Sequence, residues 1–286
     1  MKLTIITFTL AVCALFKMQA QALEKSLLWE ISGNGLTNSS YIYGTIHMTC
    51  NATLDAATTK ALEDTTLLVL EIDMDDPSMQ AKMMKGVYMK NNTNIKDLVT
   101  TEEYELISKF IKEQTGLPIE ALSTMKPFFL TAMFYPKLLN CTTQSYEETL
   151  MAVAHKQGED VLGLETIEEQ LNVFDSIPYK DQAEDLLDSA KDNLAYDTQA
   201  FEKLMTLYNS KDIEGMITMM AEDESRNTSK HMDKMLDNRN KNWIPKIEEF
   251  AKSQATFFGV GAAHLAGEDG VIKLLRAAGY TVNAVQ

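Results

Sequence analysis

Two stretches near the amino end, "SLLWEISG" (26–33) and "SYIYGTIH" (40–47), are apolar runs thinly interrupted by polar residues. A turn containing Asn34-Gly35 or Asn38-Ser39 lies between them, so they predict paired strands. The second run leads through "TLDAATTKALEDTT", with helical spacing, to the apolar run "LLVLEID". At the other end, "ATFFGVGAAH" leads through "LAGEDG" into the helical "VIKLLRAAG" and the run "YTVNAV". Both ends therefore read strand, helix, strand, the β-α-β pattern. In the second unit Asp269 is expected to cap the helix and Gly279 to end it.

Between these units the spacing is mostly helical. "TEEYELISKFIKEQTG" opens at Thr101 and closes at Gly116. "TMKPFFLTAMFYPKLL" is apolar on most faces and predicts a buried helix, and "TQSYEETLMAVAHKQG" an amphipathic one ending at Gly158. A short strand, "DVLGLE", ends at Glu165, and Thr166 is placed to cap "IEEQLNVF". Long polar helices rich in methionine occupy about 180–253, where methionine is expected to fill gaps in a core. The pattern predicts an α/β (α+β) chain. A central mixed sheet is built from the two β-α-β units, with a large helical insertion over about 77–253, in a single domain spanning 23–286.

The first residues stand apart. Lys2, an apolar run from Leu3 to Phe16 and the small residues of "QAQA" form a secretory signal pattern over 1–22, cleaved after Ala20 or Ala22. An uncleaved anchor is the alternative, although the run is short for a membrane span. The mature chain is expected to be exported, periplasmic or secreted, with no membrane span. The formal charge of the whole chain is −15, and removing the leader takes away Lys2 and Lys17 but no acid. So acidic a chain is a poor binder of nucleic acid or anionic membrane, and suits peptides, neutral ligands or divalent cations. With Cys13 gone, Cys50 and Cys141 remain in a compartment that permits a disulfide, and they are expected to pair.

Both units end a strand with Gly-x-x-His, as Gly44-Thr45-Ile46-His47 and Gly261-Ala262-Ala263-His264. One such motif says little, since a glycine there allows a turn and a histidine usually just hydrogen-bonds. Two in matching positions deliver histidines to one sheet edge, where they could share a metal ion or act as an acid/base pair. Glu71 and Glu165 also close apolar strands, a costly place for a carboxylate without a partner. Both could equally be paired in salt bridges. Together these residues suggest a two-histidine, one- or two-glutamate cluster of the kind zinc and manganese hydrolases use. Arg239 falls on the apolar stripe of Met232, Met235, Leu236 and Trp243, so it needs a carboxylate or an anion, unless it reaches solvent. His155 and His231 lack such a context and are expected at the surface.

The segments "YIYGTIHM", "LVLEID", "LGLETIEEQ", "RNKNW" and "GVGAAHLAGEDGVIKLLRAAGYTV" together resemble the TraB/GumN family. That family is related to the Tiki metalloproteases and to a wider superfamily that includes erythromycin esterases. The resemblance implies a metal-dependent peptidase and places its site at His47, Glu71, Glu165, Arg239, Asn240 and His264. In the expected arrangement His47, Glu165 and His264 hold a divalent ion (manganese, cobalt or zinc). Glu71 is the general base, and Arg239 with Asn240 steadies an oxyanion or orients a carboxylate. A peptide or protein substrate follows. A metal-free hydrolase using a His/Glu pair, and a non-enzymatic peptide- or metal-binding protein, are the competing expectations.

Overall fold

The computed structural model describes residues 22–286, so the leader expected at 1–22 falls, but for Ala22, outside the described residues. The predicted hairpin forms: β1 (Leu28–Ser32) pairs antiparallel with β2 (Ser40–Thr45). Its turn uses Asn34 and Gly35, both at positive φ, so the Asn-Gly alternative holds. The remaining strands are β3 (Leu68–Ile72), β4 (Val161–Glu165), β5 (Phe257–Gly261) and β6 (Thr281–Ala284), ordered β4-β3-β5-β2-β1-β6 in one sheet. β4, β3, β5 and β2 run parallel, while β1 is antiparallel to both neighbours. The strands of the two β-α-β units are not adjacent: β5 sits between β2 and β3, which interleaves the units. The reason is visible in the sequence of β5, "FFGVG", whose fully apolar run suits the buried centre of a parallel sheet.

Helices α1 (Ala56–Glu63), α2 (Met79–Gly86), α3 (Thr101–Thr115), α4 (Pro127–Ala132) and α5 (Tyr146–Gln157) precede β4. After it come α6 (Ile167–Ser176), α7 (Tyr179–Lys191), α8 (Ala195–Asn209), α9 (Ile213–Ala221) and α10 (Asn238–Ser253), with α11 (Val271–Ala277) between β5 and β6. β4 thus divides the helical insertion and joins the sheet at its edge. Thr166 caps α6 in a reciprocal box with Glu169, as its sequence predicts. Asp269 does not cap α11; Gly270 holds that position, while Asp269 turns its carboxylate to Lys241 at 2.8 Å. The long buried helix expected over 124–139 is also corrected. Pro136 permits only the short α4 and a 3-10 turn, Tyr135–Leu138, and leaves Met133 exposed.

Among the described residues two apolar clusters hold the fold together. One wraps the sheet around Trp29, Leu70, Trp243, Phe257 and Phe258, all essentially inaccessible to water. The other lies within the helices, around Ile107, Phe110, Ile119, Leu130 and Leu186. No helix among the described residues is long and apolar enough to cross a membrane.

Candidate active site

The parallel strands β2, β3, β4 and β5 all end at one edge of the sheet, where open α/β sheets place ligands. In register, Thr45 lies beside Gly261 and Ile72 beside Glu165. Both Gly-x-x-His histidines, Glu71 and Glu165 therefore arrive at that edge. Neither motif glycine is there for a left-handed turn. A Cβ on Gly44 would lie 3.0 Å from the Ala262 Cα and 2.8 Å from the Leu265 Cδ1, so the glycine lets the two motifs pack directly. A Cβ on Gly261 would lie 3.2 Å from the Glu71 Oε1, which that residue's own N–H binds at 2.8 Å.

Arg239 joins the carboxylates, in the first turn of α10 and just beyond a widened π-turn at Asp233–Asp237. Its Nε donates to Glu165 at 3.0 Å, and one terminal nitrogen donates to Glu165 at 2.6 Å and to Glu71 at 2.5 Å. The other donates to the Met235 carbonyl at 2.9 Å and to the His264 Nε2 at 3.0 Å. All five N–H groups are thereby used, so none is free to bind an oxyanion. Arg239 instead fixes the two carboxylates. Trp243 backs it, with its ring 4.8 Å from the guanidinium and 4.4 Å from the His264 ring, and donates from its indole N–H to Glu165 at 3.3 Å.

His264 is buried, and its tautomer can be assigned from its partners. The Asn240 amide nitrogen donates to the carbonyls of Asp269 (2.9 Å) and His264 (3.3 Å), so its oxygen accepts from the His264 Nδ1 at 2.6 Å. Nε2 then carries the lone pair and lies 3.7 Å from the Glu71 Oε1. Burial holds the ring neutral, at about 3, with Glu71 opposing the shift. Burial would raise the Glu71 carboxyl, but the positive fields of His264, Arg239 and His47 outweigh it and hold it at about 2. Because His264 is itself neutral above that range, the standing positive charges acting on Glu71 are Arg239, the larger, and His47. Burial pushes Glu165 upward, and Arg239 pulls it back.

His47 lies on the other side of this edge, 69% exposed, in the wall of a cavity. Its Nδ1 donates to the Glu147 Oε1 at 2.8 Å, and that carboxylate also accepts from Thr45 and Ser145, each at 2.7 Å. The Glu147 hydrogen bond raises the imidazole to about 9. Burial would raise Glu147, but His47 and the two hydroxyls hold it at about 2. Glu147 was missed in the sequence, where it looks like any acid in the first turn of an amphipathic helix. The loop is pinned nearby by the predicted Cys50–Cys141 disulfide and by a two-way backbone bridge between Thr49 and Gln144. His155, exposed, pairs with Asp75 at 2.7 Å, and His231, more covered than expected, with Asp181 at 2.9 Å.

As donors for a divalent ion the residues divide. Each histidine has its Nδ1 tied to a side-chain oxygen, as metal-binding histidines commonly do, but the His264 Nε2 lone pair already accepts from Arg239 at 3.0 Å and must give up that bond to take an ion. Glu165 does not fit the ligand role expected of it: Arg239 and Gln170 bind one oxygen, Arg239 and Trp243 the other. Glu71 fits better, because Oε1 accepts one hydrogen bond, from Gly261, and faces His264. Among the described residues no three His, Cys, Asp or Glu groups are close enough to surround an ion as they stand, so binding requires a side chain to shift.

A mixed α/β sheet carrying a buried His-Glu-Arg cluster beside an exposed histidine, at the carboxyl ends of its parallel strands, defines the class. Residues 27–284 match the sequence profile of the TraB/PrgY/gumN family, and the chain belongs to that family. It is 20% identical over 320 residues to the Metalloprotease TIKI2 of Danio rerio, an alignment covering 90% of this chain and 60% of that protein. The chain therefore spans about three-fifths of that relative's length. No solved structure matches it.

Proposed function

We propose that this protein is an exported, metal-dependent hydrolase of peptides, with His47, His264 and Glu71 as the groups that hold a divalent ion of manganese, cobalt or zinc. The observation that carries this reading is the matched tethering of the two histidines, Nδ1 to Glu147 in one and to Asn240 in the other. Two carboxylates against one guanidinium also leave the Glu71–Arg239–Glu165 cluster with a formal negative charge that favours a cation. The likeness to a metalloprotease agrees with it. The disulfide suits an oxidising compartment.

A divalent ion held by His47, His264 and Glu71 would supply a water ligand of lowered pKa and a means of polarising a carbonyl. The chain's own groups have separable tasks. Asn240 holds the His264 tautomer, and Glu147 orients His47. Arg239, neutralised by Glu165, keeps Glu71 ionised and fixed in place. Arg239 and Asn240 are thus positioning residues.

The metal-free alternative makes His47, backed by Glu147, the general base. Its exposed ring and carboxylate partner favour that reading. The high imidazole pKa counts against a proton acceptor and equally against a metal ligand, since both need an unprotonated Nε2, so it does not separate the two readings. The deciding experiment measures metal content of protein purified without chelators and turnover of a diverse peptide library before and after chelation. One ion per chain, lost in His264→Ala together with turnover, is the expected result. Turnover undiminished by complete removal of metal would overturn the metal reading.

A further inference from the structure

A cavity of about 360 Å³ opens beside His47, at the lower end of the range of about 300–1,000 Å³ found for ligand sites. Ile46 and Met48, on either side of His47, form part of its wall. Met219, Met220, Met232 and Met235 contribute further apolar surface from the helical layer. All five methionines are only partly buried, so here methionine lines a recess instead of filling a core. Unbranched, polarisable side chains of this kind adapt to varied apolar groups. Met235 also ties the cavity to the site, since its carbonyl accepts from Arg239.

The lining is not apolar throughout. Asp185, Asp197, Asp223 and Arg226 also border the cavity, with Arg226 paired to Asp197 at 3.0 Å. Asp185 accepts backbone N–H groups of Asn227 and Thr228, at 2.7 and 3.0 Å. Three carboxylates face one guanidinium, on a chain of formal charge −15. That balance disfavours an anionic occupant. Charged groups along the wall also disfavour a long acyl chain, which would strand them without water. A peptide segment, with apolar side chains and a polar backbone, meets both kinds of surface.

We infer that this cavity is a specificity pocket, seating a bulky apolar side chain (leucine, methionine or phenylalanine) of a neutral or basic peptide next to the bond presented at His47 and His264. The inference rests on the hydrolase reading for the word next, but the pocket's selectivity is measurable without turnover. The probes are capped alanine hexapeptides with one central Phe, Leu, Ala or Asp, assayed for equilibrium binding and, separately, for cleavage. Wild-type protein should bind the Phe and Leu peptides about 10- to 100-fold tighter than the Ala peptide, the worth of burying one large apolar side chain. The Asp peptide should bind more weakly than the Ala peptide. Ala200→Trp, which puts an indole into the cavity from α8, should bring the Phe/Ala ratio close to one. If its circular dichroism shows that it does not fold, Met220→Gln supplies the same test with little change in volume. Equal binding of the Phe and Ala peptides by wild type, or an unchanged ratio in the folded variant, would overturn the assignment. Selective binding without cleavage by wild type would support the pocket and count against the hydrolase.

Discussion

Arg239 is the residue on which the cluster depends, because its five donors meet two carboxylates, a carbonyl and a histidine at once. Lysine keeps the charge but offers no planar fork, so Arg239→Lys should lower the melting temperature and weaken metal binding by an order of magnitude or more. Arg239→Ala strands two buried carboxylates, and the loss should be about 3–5 kcal/mol in denaturant unfolding. A lysine variant matching wild type in both assays would show that Arg239 is dispensable. Gly44→Ala is the second test at this scale: its Cβ would press on the Ala262 backbone, at a cost of about 1–3 kcal/mol. The burial of Arg239 was legible in the sequence, since a cation on an apolar stripe demands a partner. Glu147 was not, because nothing in "SYEETL" distinguishes a histidine's partner from a solvated first-turn acid. The difference in hydrogen bonding between Glu71 and Glu165 was also hidden. Both follow apolar strands, and only the positions of Arg239, Gln170 and Trp243 leave Glu165 with both oxygens occupied while Glu71 Oε1 accepts from the Gly261 N–H.

The elements that carry the histidines are held differently. His264 sits on a turn backed by α10, whereas His47 sits on a loop tied to the segment before α5 by the disulfide and the Thr49–Gln144 bridge. The Cys50–Cys141 link spans 91 residues, and the entropic account gives such a crosslink about 4–5 kcal/mol. Replacing both cysteines by serine should lower stability by up to that amount in a thermal melt. It should also weaken metal binding in a titration, because only hydrogen bonds, the Thr49–Gln144 bridge and those of Thr45 and His47 to Glu147, then hold the His47 loop to α5. Unchanged metal affinity in the reduced protein would mean that the loop holds His47 without the crosslink. The strands, the hairpin and the capping of α6 were readable from alternation and turn residues. Strand order was not: β5 inserts between β2 and β3 because its wholly apolar run belongs at the centre, a competition among segments over two hundred residues apart. The helix expected over 124–139 fails for a local reason, Pro136, which no apolar spacing can offset.

At the scale of the whole molecule, acid should be the condition that unfolds the metal-free protein. His264 is held neutral at about 3 when folded, against about 6.5 when unfolded. Between those values the unfolded chain binds the extra proton, so stability must fall as pH falls from 6.5 toward 3. Glu71 and Glu147, both held at about 2, add to this loss from pH 4.5 downward, where the unfolded carboxyls take protons first. His47 acts in the opposite sense: raised to about 9, its contribution is complete below pH 6.5 and is lost as pH rises through 9. Its exposure to water makes that alkaline loss the smaller one. The melting temperature in chelator should therefore peak near neutrality, fall slightly toward pH 9 and fall steeply below pH 6. His264→Gln, which removes the first of these groups while keeping an amide near Asn240, should flatten the curve between pH 6.5 and 4.5 and leave the steeper carboxylate limb below it. An identical acid limb in the variant would mean that His264 takes up its proton in the folded chain as readily as in the unfolded one, and that its burial beside Arg239 does not hold it neutral.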